Sequence, residues 1–497
     1  MSIWSISLTN TGMGACILNT DMTYHHFSAT YPVFRQDRCW CVETSAILHV
    51  LEQALEFLIN TSDELPESLA ISAPDHEMAC FVDDHQHVIS PFYLSLPPIL
   101  PKHEIPEMFQ DDLDISSAYR QSLMRNIQQF RPEFGLNEKI GIYSPGAWLS
   151  QILTGNPIDT CIPMGVPESF PDFDSTKTPL FYKAMGIDPS LTQVMQPSGL
   201  TCGTMTPDFI SFFESDLSTK LKKIIGIPVF IMGSSQSALS YATAADPLNW
   251  SVSFGWKLHT GFNAEHNAFN QYEISIHDQG LHADQPDSLP QPDLQNLTRN
   301  EWAQLVNDQL PFRKSAGSRA SQSYCYLETD SAHTPLFSHN SACSEHQISP
   351  EDFLKIPVGS HGLHCIYHRN SWQIIGLKPS HDIYSLYRAL FEGQLYQLME
   401  WQQKLPSRPD SVRIILNNPW PYEAIQCAAN CLQMPVLMPE DSTETLAALG
   451  SALGLMRVLH SSHAPSPSIH AHIIEPQTSS YEAHFRVHCA LRQMLVF

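Results

Sequence analysis

Between Val412 and Met456 the chain alternates strand and helix patterns in close succession, and this order constrains the fold more than any other feature. Val412 to Leu416 is of strand length and apolar except at Arg413, and Ala424 to Leu432 carries apolar residues at helical spacing. Val436-Leu437-Met438 gives a second strand and Thr443 to Met456 a second helix. Such alternation predicts α/β domains.

The beginning of the chain has another order. Ile3 to Leu8 and Ala15 to Leu18 flank the small-residue turn Thr9-Asn10-Thr11-Gly12-Met13-Gly14, which predicts a β-hairpin. From Thr44 to Leu58, apolar residues at Ile47, Leu48, Leu51, Ala54, Leu55 and Leu58 follow the 3.6-residue period of an amphipathic helix. A strand, Ser68 to Ala73, comes next, and Ala79 to Val82 leads into an Asp83-Asp84-His85 turn. A hairpin–helix–strand start and a later βαβ half point to two related domains. The length agrees, because 497 residues exceed what one hydrophobic core usually organises. The division is expected near the middle, into 1–250 and 251–497.

Two regions resist such reading. Prolines at 91, 97, 98, 101 and 106 exclude regular structure and predict a surface loop, with helix resuming near Ser116. Residues 277–350 are polar and rich in Asp, Gln, Ser and Pro, as insertions and loops are.

Charge narrows the function classes. Lys and Arg total 27 against 51 Asp and Glu, a formal net charge of -24, which repels phosphate backbones and anionic lipid. No nucleic-acid or membrane partner is expected. The most apolar stretches, Ile224 to Met232 and Leu446 to Met456, fall far short of the ~20 residues that span a bilayer. Met1 to Ile6 reads as strand without a basic leader, so a cytoplasmic address is expected. Twelve cysteines without a CxxC read as reduced, mostly buried thiols. The 24 histidines include pairs at His25-His26, His85/His87, His460/His463 and His470/His472, but no HExxH or zinc framework, so no metal site is expected.

The landmarks, taken in order, resemble those of the FGGY carbohydrate kinases. Trp148-Leu149-Ser150-Gln151-Ile152-Leu153-Thr154-Gly155 is similar to the family's WLxxxLTG helix end, and Gly203-Thr204-Met205-Thr206 to its G-x-L-T turn. The strand Ile227 to Met232 running into Gly233-Ser234-Ser235-Gln236 also fits. Arg388-Ala389-Leu390-Phe391-Glu392-Gly393 resembles RAxxEG, Gln426 to Asn430 resembles QxxAD, and Ala447 to Ala452 resembles AALGAA. The resemblance spans nearly the whole chain, with xylulokinase-like members in view. It implies two RNase H-like domains of the actin-like ATPase superfamily around a central cleft, and ATP- and Mg²⁺-dependent phosphorylation of a ketose or polyol.

The short polar motifs that carry such chemistry depart from the family. Its first phosphate turn, DxGT, falls on Thr9-Asn10-Thr11-Gly12, so Thr9 stands where a metal-directing Asp is expected, with Thr11 and Gly12 the backbone nearest phosphate. Its second, GTS, falls on Gly255-Trp256-Lys257, where an indole crowds the space a small hydroxyl residue would leave. The adenosine-side GG becomes Asn417-Asn418. At the general-base position stands Gln236, whose amide accepts no proton at neutral pH, and loss of a positioned base costs about 10² to 10⁴ in rate. Asp246 lies beyond the following helix and is a poor substitute.

On the sugar side, Asp75 and His76 fall where xylulokinase-like members carry SGQMHG, whereas the W-x-D motif becomes Ser95-Leu96-Pro97. Residual contact with a sugar through Asp75 and His76 is one expectation; a strand-end histidine with its bonding satisfied is the other.

Two functional expectations arise, from different classes. One is a pseudokinase that binds a small-molecule sugar or a protein partner after losing phosphoryl transfer. The other is an active, non-standard carbohydrate kinase with ATP and Mg²⁺ as cofactors, Lys257 assisting and the base drawn from elsewhere. A purely structural subunit is a third reading with no residue in its favour. Arg388, Glu392 and Gly393 are expected to serve packing and ion pairing.

Overall fold

In a computed structural model of the chain, the residues described are 2–36, 39–62, 64–74, 78–93, 139–160, 188–196, 198–213, 215–243, 249–254, 258–262, 274–275, 349–368, 371–378, 380–404, 410–416, 421–460, 467–478 and 481–495. They are mixed α and β, gathered into two compact units. Unit 1 comprises Met1–Asp246, Ala264–Glu273 and Asp441–Ile469; unit 2 comprises Pro247–Asn263, Ile274–Glu440 and His470–Phe497.

Unit 1 is built on a six-stranded sheet. Its strands are β1 (Ser2–Leu8), β2 (Gly12–Asn19), β3 (Tyr24–Thr30), β4 (Ser68–Ala73), β5 (Leu200–Thr204) and β6 (Pro228–Ser234). Their order across the sheet is β5-β6-β4-β1-β2-β3. β1 pairs antiparallel with β2, from Ser2 opposite Asn19 to Leu8 opposite Met13, and parallel with β4. All seven residues of β1 are buried, which requires cover on both faces. Helices α1 (Thr44–Thr61), α2 (Pro145–Thr154), α3 (Ser235–Thr243) and, from far along the chain, Thr443–His460 supply that cover. The WLxxxLTG-like segment is α2: Ser144 caps its N-terminus by accepting from Ala147 N at 3.1 Å, Pro145 sits in its first turn, and Gly155 ends it in the left-handed region at φ 78°.

Unit 2 repeats the strand order. β7 (Asn249–Phe254), β8 (Leu258–Phe262) and β9 (Ile274–Ser275) form an antiparallel meander; β10 (His364–His368) and β11 (Ser371–Ile375) pair apart as a hairpin; β12 (Ser411–Leu416), β13 (Val436–Pro439) and β14 (Ala471–Ile474) complete the main sheet. Its order is β9-β8-β7-β12-β13-β14. As in unit 1, a three-stranded meander is followed by two parallel pairings and an antiparallel edge. The core gathers α4 (Ile383–Lys404), α5 (Ala424–Leu432) and Phe485 of the last helix, with Phe353 edge-on to Phe391 at 5.5 Å. Helices are completed by α6 (Thr443–His460) in unit 1 and α7 (Tyr481–Leu495) in unit 2.

The structure amends several expectations. The first hairpin turns tightly at Thr9 to Thr11, and Met13 and Gly14 belong to β2. Gly203 and Thr204 end strand β5 instead of making a turn, with a register shift between Thr201 and Gly203 and a φ of 140° at the glycine. The turn expected after Val82 is present, with Val82 bridged to Val88 and Asp83 N donating to the His87 carbonyl at 2.9 Å, and Phe81 and its neighbours pair in addition with Gly141–Tyr143. The proline-rich loop from 94 onward, the region near Ser116 and nearly all of 277–350 lie outside the described residues. No described helix is long and apolar enough to cross a membrane.

Candidate functional site

The first hairpin turn is the one predicted phosphate position that the structure describes in full. Ser5 and Ser7 stand at alternate positions of β1 and Thr9 continues their period into the turn, so the three hydroxyls fall on one side. On α6, Glu444, Ala448 and Ser451 recur at helical spacing and form one stripe. The two periods meet. Ser5 Oγ donates to the Ala448 carbonyl at 2.7 Å, and Ser451 Oγ reaches Ser72 Oγ at 2.7 Å, which in turn donates to Ser7 Oγ at 2.8 Å. Each of these serines is fully buried.

At the end of this seam the Glu444 carboxylate sits against the turn. Its Oε1 lies 3.2 Å from Thr9 Oγ1 and 2.9 Å from Thr11 Oγ1, with both hydroxyls as donors. The turn is otherwise closed on itself: Thr9 N donates to the Gly12 carbonyl at 2.8 Å, and the N–H groups of Thr11 and Gly12 point to Thr9 Oγ1 at 3.2 and 3.0 Å. Tyr31 OH donates to the Thr9 carbonyl. Burial pushes the Tyr31 phenol well above its ordinary range, and the Glu444 charge adds to the effect.

Local sequence explains how a carboxylate comes to rest here. Ser442 Oγ accepts from Thr445 N at 3.2 Å, capping α6, and Glu444 in the first turn gains from the positive end of the helix. The approach is close because β2 has glycine opposite: a Cβ at Gly14 would lie 2.0 Å from the Glu444 carbonyl oxygen. Six residues further along α6, a Cβ at Gly450 would lie 1.8 Å from the Ala238 carbonyl oxygen of α3. Two glycines thus let one helix press on both the hairpin and α3.

No protein-family model matches the chain, and no curated protein matches it by sequence. Solved structures do. The xylulose kinase of Rhodospirillum rubrum superposes with a TM-score of 0.57 at 15% identity, over 100% of this chain and 99% of that one. A ligand-bound xylulose kinase of Lactobacillus acidophilus gives 0.56 at 13%, covering 100% and 98%, and the glycerol kinase of Plasmodium falciparum solved with ADP gives 0.53 at 11%, covering 99% and 97%. The chain has the fold of the FGGY-type carbohydrate kinases. Identities this low establish the fold alone.

Within that fold the predicted positions divide. Thr9, Thr11 and Gly12 are brought together with Glu444, a residue that sequence reasoning missed. Gln236 is the second residue of α3, directly after the buried strand β6, where the sequence places it. Asp75, His76, Gly255, Trp256, Lys257, Asn417, Asn418 and Asp246 lie outside the described residues. Among the described residues no three His, Cys, Asp or Glu side chains are grouped to hold a metal.

The RAxxEG-like motif has become a buried network in unit 2. Arg388 Nε donates to Glu392 at 2.9 Å with both side chains 3% exposed, Nη2 to Tyr481 OH at 2.7 Å and Nη1 to Cys427 Sγ at 3.2 Å. The guanidinium also lies over the Phe353 ring at 4.4 Å. Glu392 accepts from Gly359 N at 3.0 Å and Ser360 Oγ at 3.0 Å. The i,i+4 spacing signals such a pair, but nothing local signals its burial.

Proposed function

We propose that this chain is a carbohydrate-kinase-fold protein that no longer carries out ordinary ATP-dependent sugar phosphorylation. It acts as a pseudokinase, binding a small sugar-like molecule or a protein partner. The strand order repeated in the two units supports reading each as an RNase H-like domain of the actin-like ATPase superfamily.

The observation that carries the proposal is the carboxylate at the first turn. A phosphate-binding turn offers hydroxyl and N–H donors to an anion. Here the Thr9 and Thr11 hydroxyls already serve Glu444, and the Thr11 and Gly12 N–H groups serve Thr9. A phosphoryl oxygen about 4 Å from that carboxylate would meet roughly 4 kcal/mol of repulsion at an effective dielectric of 20. The turn as built does not fit a triphosphate. Gln236 at the base position supports the same reading, since an amide takes no proton from an attacking hydroxyl.

The second reading, an active non-standard kinase, draws on the same residue. Glu444 restores to the hairpin, from another element, the negative charge that Thr9 lacks. A carboxylate beside two hydroxyls is chemically suited to a Mg²⁺ ion carrying nucleotide.

Thermal shift separates the two. Nucleotide binding at a hundredfold excess over Kd would stabilise the protein by about 2.7 kcal/mol. The pseudokinase predicts no shift with ATP and Mg²⁺ and no phosphoester from a panel of ketoses and polyols. A nucleotide-dependent shift together with turnover establishes the second reading instead.

A further inference from the structure

The most unusual buried group outside the hairpin is His488, on α7. Its side chain is 1% exposed, and neither ring nitrogen has a hydrogen-bond partner among the described residues. An imidazole carries at least one donor and one acceptor, so burying it without either is costly. Its ring lies 5.0 Å from that of Tyr396 on α4, whose hydroxyl is also buried and unpartnered among the described residues. This contact between α4 and α7 thus carries two buried polar side chains without partners among the described residues.

The surroundings of His488 offer no counter-charge among the described residues. On α4, Glu392 is engaged by Arg388, Gly359 and Ser360, and Glu400 pairs with Arg492. From α5 come only the thiols Cys427 and Cys431, and β10 brings His364 and Cys365. On α7 itself the titratable groups are Tyr481, which accepts from Arg388, Glu482, which is exposed and paired with Arg486, and His484, Cys489 and Arg492. β10 packs against α7, and across that contact His364 acts electrostatically on His488 as His484 does on His364.

We propose that α7 is a pH-sensitive clasp on unit 2, released when His488 takes up a proton. In the docked helix the imidazolium would be buried beside other histidines with no carboxylate to receive it. In the undocked helix it is hydrated. Burial accordingly lowers the His488 pKa to about 3, with the His364 charge adding to the effect. A folded-state value below the unfolded one means that docking is fully favoured above about pH 6.5 and weakens as pH falls below it. Release also removes Tyr481 from Arg388, so the clasp is tied to the buried ion pair.

Hydrogen–deuterium exchange on the full chain tests this. After correction for the intrinsic pH dependence of exchange, opening of 481–495 is expected to rise by about 25-fold between pH 7 and pH 5 from His488 alone. Peptides covering 2–19 in unit 1 should keep their protection. His488→Leu, and separately His488→Gln, should flatten the response, the second keeping a polar side chain that cannot titrate. Unchanged wild-type protection over 481–495, loss in step with residues 2–19, or a variant that opens at the wild-type pH would each overturn the proposal. The wild-type comparison needs neither variant to fold.

Discussion

Thr11 Oγ1 donates to Glu444 Oε1 at 2.9 Å, joining a hairpin turn at one end of the sequence to a helix that begins more than four hundred residues later. Hydrogen bonds to charged groups contribute about 1.5–3 kcal/mol each. A double-mutant cycle with Thr11→Val and Glu444→Ala should therefore return a coupling energy of that size, measured by chemical denaturation of unit 1. Additive effects would mean that the contact does not hold the turn.

The glycine at 450 permits the helix contact that presents Glu444. Because an added Cβ would lie 1.8 Å from a backbone oxygen of α3, no side-chain rotation relieves it. Overpacking of this kind costs about 1–3 kcal/mol or more, and Gly450→Ala should lower the melting temperature by several degrees. Gly155→Ala, at a position with open space but positive φ, should be milder, costing about 1 kcal/mol. Equal melting temperatures for Gly450→Ala and the wild type would show that α6 and α3 can separate freely.

Arg388 offers a sharper test of unit 2. Removing one partner of a buried, hydrogen-bonded pair costs about 3–5 kcal/mol, because the other charge is left buried alone. Arg388→Met should lower the melting temperature of unit 2 by roughly 10 °C, taking about 2–4 °C per kcal/mol for a body of this size. Arg388→Lys should recover little, since an ammonium cannot reproduce the planar fork that reaches Glu392, Tyr481 and Cys427 together. Full rescue by lysine would reduce the network to a simple point charge.

The sequence revealed most where one period dominates. The strand Ser68–Ala73 and the helix Ala424–Leu432 have the bounds that apolar spacing predicts, and the strand into helix at Gln236 comes from a buried run meeting polar small residues. Gly203 misled because glycine marks a bulge within a strand as readily as a turn, and the choice is made by pairing with Val229 on β6. Glu444 was beyond reach for a different reason. Its partners are 433 and 435 positions away, so no local pattern distinguishes it from any other acid in a helix's first turn. The clue lay in β1 and the turn after it, where Ser5, Ser7 and Thr9 place buried hydroxyls at alternate positions and thereby require polar partners from elsewhere.

Placing an acid at position 9, where the sequence resemblance expects one, would test the same geometry from the other side. Thr9→Asp would set a second carboxylate beside Glu444, in a turn whose Thr9 is 7% exposed. Two carboxylates sharing one site cannot both ionise cheaply, so one of them titrates above its unfolded value. For a carboxyl whose folded pKa is raised, stability is present at low pH and is lost as pH rises through that pKa. Thr9→Asp should therefore be less stable than the wild type at pH 7.5 and recover towards pH 4.5, while Thr9→Asp combined with Glu444→Gln should melt near the wild type at both. Melting curves at the two pH values check this. A single Thr9→Asp variant that is fully stable at pH 7.5 and turns over ATP with a ketose would show that the turn had lacked only its acid, and that Glu444 does not stand in the way of phosphate.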